Sequence, residues 1–223
     1  MPKHAQITGT PERRSYLCEV RALRDEQRGD YITGHPIVFN QEIELDTWGG
    51  TIREVIDPGA IDARTDMKDV RFLVGHNTQM IPLARSRNNN QNSTMQLLPD
   101  DTGLGMRANL DTENNGTARE LYSATGRGDI SGMSFMFVVD EEAWEDLDSD
   151  KPLRRIRHIS RIYEVSAVAF PAYEGTDLEA ADESDRLESL VASLESARAR
   201  LKEERDRAQE AERRETALRT LRR

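Results

Sequence analysis

The chain has 223 residues, a formal net charge of -10 at pH 7 and one cysteine. A lone Cys18 excludes an intrachain disulfide and a cysteine-based zinc site, and it fits a reducing compartment. The acidic balance argues against nucleic acid as a main partner, because phosphate binding needs a basic surface, and no run approaches the roughly 18 apolar residues of a membrane helix.

Residues 1–15 are polar, contain no apolar stretch of the signal-peptide kind and are expected to form a flexible arm. A body over residues 16–178 follows, and it reads as mainly β. Apolar and polar residues alternate over 17–23 and 31–39, and the runs 51–56 and 70–74 are short and rich in β-branched or apolar residues. The sequence Asp57-Pro58-Gly59-Ala60-Ile61 predicts a short helical turn, with Asp57 as cap and Pro58 at the first position. Residues 94–98 and 104–110 flank Pro99-Asp100-Asp101-Thr102-Gly103 and predict a hairpin. A helix is predicted over 115–125, with Ala118, Leu121 and Tyr122 on one face and Gly126 and Gly128 ending it. Residues 130–139 and 159–170 are the strongest strand candidates. Segments 85–93 and 140–150 read as polar surface loops. Many short strands with few helices predict an α+β fold, mainly β: a small closed β-barrel with surrounding helices.

The segment 179–223 differs in kind. Leu187, Leu194, Leu201 and Ala208 recur every seven residues; Leu190, Ala197, Ala211 and Leu218 fill a second seam, which Glu204 interrupts. This predicts one long helix of coiled-coil character, and its apolar stripe asks for a partner, either a second copy of the chain or a scaffold.

Three side chains stand out as candidates for chemistry. Of the four histidines, none lies three or four residues from another, so no helical metal pair exists, and no metal or cofactor is expected. His76 follows Gly75 at the end of the strand 70–74 and opens a loop, a position suited to proton transfer. In Ile130-Ser131-Gly132-Met133-Ser134-Phe135-Met136-Phe137, alternation puts Ser131 with Met133, Phe135 and Phe137, and Ser134 on the opposite face beside Gly132. The space over Gly132 favours Ser134 over Ser131 as the accessible hydroxyl. Glu164, flanked by apolar and aromatic residues in the last strand, needs a partner such as Arg161 or a histidine. A hydroxyl, an imidazole and a group that orients the imidazole are the parts of nucleophilic hydrolysis.

Four motifs in order extend this reading: Phe39-Asn40 with Val55-Ile56-Asp57-Pro58-Gly59-Ala60; Val74-Gly75-His76-Asn77 with Ile81-Pro82-Leu83-Ala84-Arg85; Ile130-Ser131-Gly132-Met133-Ser134-Phe135; and Tyr163-Glu164-Val165-Ser166-Ala167-Val168 with Phe170-Pro171-Ala172-Tyr173. Over residues 16–173 the chain resembles the prohead proteases of tailed phages, a serine peptidase family distantly similar to herpesvirus assemblin. Met136 stands where the family often has glycine after the nucleophile, and Ala84 replaces a frequent glycine. The resemblance implies Ser134 as nucleophile, His76 as general base and Glu164 as third member. It implies a serine endopeptidase that acts in the host cytoplasm inside the assembling procapsid. The capsid protein or its scaffold segment would be cleaved there, together with the chain itself. Oxyanion donors are expected from the turn 170–175. The competing reading is a non-enzymatic assembly protein with a protease-like body fused to a scaffolding helix; an esterase is disfavoured because the Gly-x-Ser-x-Gly elbow is missing.

Overall fold

The computed structural model describes residues 10–169 and a helix over 180–221, with the side chains of that helix described from 187 to 215. Eleven strands and two helices follow one another among these residues: β1 (Glu12–Leu17), β2 (Arg21–Asp25), β3 (Gly29–Val38), β4 (Ile43–Thr47), β5 (Gly50–Ile56), β6 (Val70–Val74), β7 (Ala84–Ser86), β8 (Met95–Pro99), β9 (Gly103–Asn109), α1 (Gly116–Arg127), β10 (Gly132–Glu145), β11 (Leu153–Val168) and α2 (Ala180–Leu221). The fold is mainly β, with a long C-terminal helix. Among the described residues no helix is long and apolar enough to cross a membrane.

The strands lie in two sheets. One has the order β1-β10-β11-β5-β4, with β6 added on β11 and β7 on β6; the other runs β2-β3-β9-β8. The long strand β11 organises the larger sheet. Its first residues, Leu153 to Ile156, pair in parallel with β5, and Glu164 to Ala167 pair in parallel with β6. Its other edge runs antiparallel along β10. Period-two alternation sends Met133, Phe135, Phe137, Val165, Ala167, Tyr16 and Phe72 into one core, where Phe135 stacks on Phe137 with ring centroids 4.5 Å apart. The residues between them, Ser15, Ser134, Glu164 and Ser166, necessarily point to the opposite face.

Among the described residues the hydrogen-bonded ladders form two sheets, and no closed barrel is found. Other expectations need correction. The single strand expected over 17–23 is two, and Cys18 to Val20 carry the chain from the larger sheet to the smaller one. The arm expected over 1–15 already holds β1 from Glu12. The acidic segment 140–150 is strand as far as Glu145, and the turn at Pro58 is a hydrogen-bonded turn, with the Ala60 N–H donating to the Asp57 carbonyl, rather than a helix. The hairpin and α1 form where the sequence puts them. Asn115 caps α1 by accepting from the Ala118 N–H, and Gly128 ends it in a left-handed conformation at φ 80°.

The first half of α2 docks on the body. Leu190 and Leu194 pack with Ile52, Leu45, Trp144 and Leu147, and Val191 and Ala197 are buried as well. The Trp144 indole donates to the Ser193 hydroxyl at 3.1 Å, and Arg198 Nε donates to the Leu147 carbonyl at 3.1 Å. The apolar seam that asks for a partner is thus covered by the chain itself from Leu190 to Ala197, and Leu201 is half-buried. Beyond it, residues 202–215 are exposed, with only Ala208 and Ala211 on the seam. The place to cut the chain follows from this. Ending it after Lys202 is expected to leave thermal stability unchanged. Ending it after Asp177 uncovers Ile52 and Trp144 and removes three large buried side chains, each worth about 1.5–3 kcal/mol. Calorimetry of the two truncations checks the difference.

Candidate active site

His76 leaves the sheet at the end of β6. The Gly75 N–H donates to the Ala167 carbonyl at 3.0 Å, which extends the β6–β11 ladder by one step. Gly75 and His76 then both take φ 57°, in the left-handed region. Glycine reaches it freely, whereas a non-glycine residue held there stores about 1–3 kcal/mol of strain. The turn swings the imidazole back over β11. There Nδ1 lies 2.5 Å from Glu164 Oε1, with the His76 side chain 17% exposed and that of Glu164 4%. An ionised carboxylate only accepts, so a neutral imidazole in this contact donates from Nδ1 and presents its lone pair on Nε2. The partner that Glu164 requires is His76. Arg161 lies elsewhere, its guanidinium 4.5 Å from the centroid of the Tyr163 ring.

Ser166 completes the contact, and the sequence reading passed over it. Its hydroxyl donates to Glu164 Oε2 at 2.6 Å and accepts the His76 backbone N–H at 3.2 Å. The signal was present: Ser166 follows Glu164 by two residues and so shares its face of the strand.

Ser134 stands on the neighbouring strand of the same face. β10 and β11 pair with Ser134 opposite Ser166 and Met136 opposite Glu164, while β1 sets Ser15 opposite Ser134. One row therefore runs Ser15, Ser134, Ser166 across three strands, with the His76–Glu164 pair at its end. Ser134 is fully buried, and its hydroxyl donates to the Arg14 carbonyl of β1 at 2.7 Å. Its proton is turned toward β1 rather than toward His76. Ser131 is exposed and donates to the Ala169 carbonyl at 2.9 Å, away from Glu164. The turn 170–175, expected to supply oxyanion donors, lies outside the described residues, as do His4 and the Phe170-Pro171-Ala172-Tyr173 motif.

The other reactive groups do not converge on this row. Burial pushes the Cys18 thiol up to about 11, which leaves it protonated at neutral pH. His35 Nε2 pairs with Asp100 at 2.8 Å in an exposed position. His158 is buried, with Nδ1 2.5 Å from Asp140 and Nε2 3.3 Å from Asp62. Asp140, Glu141 and His158 each offer one ligand atom within 4.8 Å of the others. Because carboxylates already occupy both ring nitrogens of His158, the group reads as an ion cluster that ties β10 to β11 and to the segment after β5.

Next to the row lies a second buried feature. Glu54 accepts Arg14 Nε at 2.5 Å and Arg154 Nη1 at 2.8 Å; Glu12 accepts Arg154 at 2.6 and 2.9 Å and Arg14 at 2.7 Å; Glu142 accepts Arg154 Nε at 2.7 Å. Three carboxylates and two guanidiniums thereby join β1, β5, β10 and β11 at one end of the sheet. Glu142 also meets the Ser193 hydroxyl of α2.

Comparison with curated proteins and with solved structures gives no significant match. The family model of the caudovirus prohead serine proteases matches residues 18–189, a span that holds His76, Ser134, Glu164 and Ser166, and the chain belongs to that family of serine peptidases.

Proposed function

We propose that the chain is an endopeptidase of procapsid maturation in which Ser134 is the nucleophile, His76 the general base and Glu164 the group that orients and stabilises the imidazole. The single observation that carries this reading is the 2.5 Å contact between His76 Nδ1 and the buried Glu164, since it leaves Nε2 as the acceptor that a serine nucleophile needs. In the reaction, Ser134 Oγ attacks the scissile carbonyl carbon and its proton passes to His76 Nε2. The C–N bond then breaks, and the departing amine takes that proton. Water repeats the sequence on the acyl ester and frees Ser134. The substrates are the capsid protein or its scaffold segment and the chain itself, cleaved inside the procapsid in the host cytoplasm. The exposed half of α2 is the part free to tether the peptidase to scaffold or to a second copy.

One observation favours the competing reading, a non-enzymatic assembly protein: the buried Ser134 hydroxyl is held by Arg14. Incubation of the chain with unprocessed capsid protein, followed by intact-mass measurement, separates the two readings. Wild type is expected to shorten the capsid protein at a defined bond. Ser134→Ala is expected to be inactive and folded. Glu164→Gln should retain partial activity, because its one amide oxygen can still accept from Nδ1–H while its NH2 replaces the oxygen that Ser166 donates to. A fully active Ser134→Ala protein removes the assignment and makes Ser131 the next candidate.

A further inference from the structure

We infer that Ser166 is a positioning residue of the same site, acting on the reaction through Glu164 and His76; the inference rests on the proposed peptidase reading. Three observations meet in this one side chain. It is fully buried, so its hydroxyl cannot exchange its partners for water. It donates to the Glu164 oxygen that does not face His76, which fixes the carboxylate plane and leaves Oε1 aimed at Nδ1. It also accepts the His76 N–H at the residue held at φ 57°, which fixes the turn that carries the imidazole. It also stands directly across the β10–β11 ladder from Ser134. A hydroxyl both donates and accepts, and no other side chain as small as serine does both. Removal of the hydroxyl leaves the Glu164 oxygen and the His76 N–H each short of a buried partner. Both groups are then free to rotate, and the fraction of molecules with Nε2 presented as acceptor falls.

The test needs no knowledge of the natural substrate. Diisopropyl fluorophosphate reacts with an activated serine: the Oγ–P bond forms, the P–F bond breaks, fluoride leaves and the serine proton passes to the histidine. Intact-mass measurements over time give both the rate constant and the final fraction of chains labelled. Ser166→Thr and Ser166→Val add the same volume, and only threonine keeps the hydroxyl. A positioning role predicts that Ser166→Val slows labelling roughly 10- to 100-fold while still reaching full labelling, and that Ser166→Thr stays within about threefold of wild type. Ser166→Ala, which adds no atom, should be slowed like Ser166→Val. A merely structural role lowers the labelled fraction and leaves the rate constant unchanged, which overturns the inference. Equal rates for valine and threonine overturn it as well. Wild type that is labelled at Ser134 as fast as Ser166→Ala overturns the inference alone, and wild type that is not labelled at all overturns the peptidase reading together with it.

Discussion

Replacing His76 by alanine is expected to lower peptide-bond turnover by on the order of 10⁴-fold or more, with the fold intact. The side chain is 17% exposed at a strand end and anchors no part of the core, so its loss removes chemistry rather than packing. On the proposed reading the imidazole is the base for Ser134, and Glu164, the other acid–base side chain described beside it, is committed to Ser166 through its second oxygen. The two residues act as one unit, so the double variant Ser134→Ala/His76→Ala should be no worse than either single one. Single-turnover assays on the capsid substrate measure all three. Alanine at φ 57° keeps the left-handed strain, and the buried Glu164 loses a hydrogen-bond partner, so thermal stability should fall modestly.

The second large effect is on stability. Arg154→Met is expected to destabilise the chain by about 3–5 kcal/mol at pH 7, a large share of the roughly 5–15 kcal/mol that holds a domain together. The reason is the number of charges left behind. Arg154 touches Glu12, Glu54 and Glu142, and Glu54 is fully buried. The loss should depend on pH. Burial alone would raise the Glu12 carboxyl, but Arg154 and Arg14 outweigh it and pull the group from 4.5 to about 2. A carboxyl depressed in the folded state adds stability that is complete above its unfolded value and is lost as pH falls. The contribution of Glu12, roughly 3 kcal/mol, is therefore present above about pH 4.5 and fades toward pH 2. Urea unfolding at pH 7, 5 and 3 should show the gap between wild type and Arg154→Met narrowing over that window. A gap that widens as the pH falls contradicts this account of the network.

The same network explains what the sequence hid. Glu12-Arg13-Arg14-Ser15 reads as a charged arm, because a charge in a sequence looks solvated unless its partner is known. In the fold these residues form β1, since Glu54 and Arg154, 40 and more positions away, neutralise them. Glu142, taken as part of an acidic loop, is a strand residue for the same reason. The alternating strands around Phe72, Phe135 and Val165 were legible, because a period of two with apolar residues on one side specifies both strand and core. The candidate site was legible to the extent that it is local. His76 at a strand end after glycine and Glu164 in an apolar strand both pointed to function, and their contact needed only one partner to be guessed. The orientation of Ser134 was not legible, because it depends on the carbonyl of Arg14 in a strand that the sequence concealed. The α2 seam was legible in part: heptad spacing shows that a stripe must be covered but not by what, and for Leu190 and Leu194 the cover is Ile52 and Trp144 of the chain's own body.

On the proposed reading Ser134 is the residue that His76 activates. The most direct measurement is to treat the purified chain with a fluorophosphonate, digest it and locate the adduct by tandem mass spectrometry, in wild type and in His76→Ala. A single adduct on Ser134 is expected in wild type, and its loss in His76→Ala. An adduct on Ser131, or labelling of Ser134 that persists unchanged without His76, contradicts it.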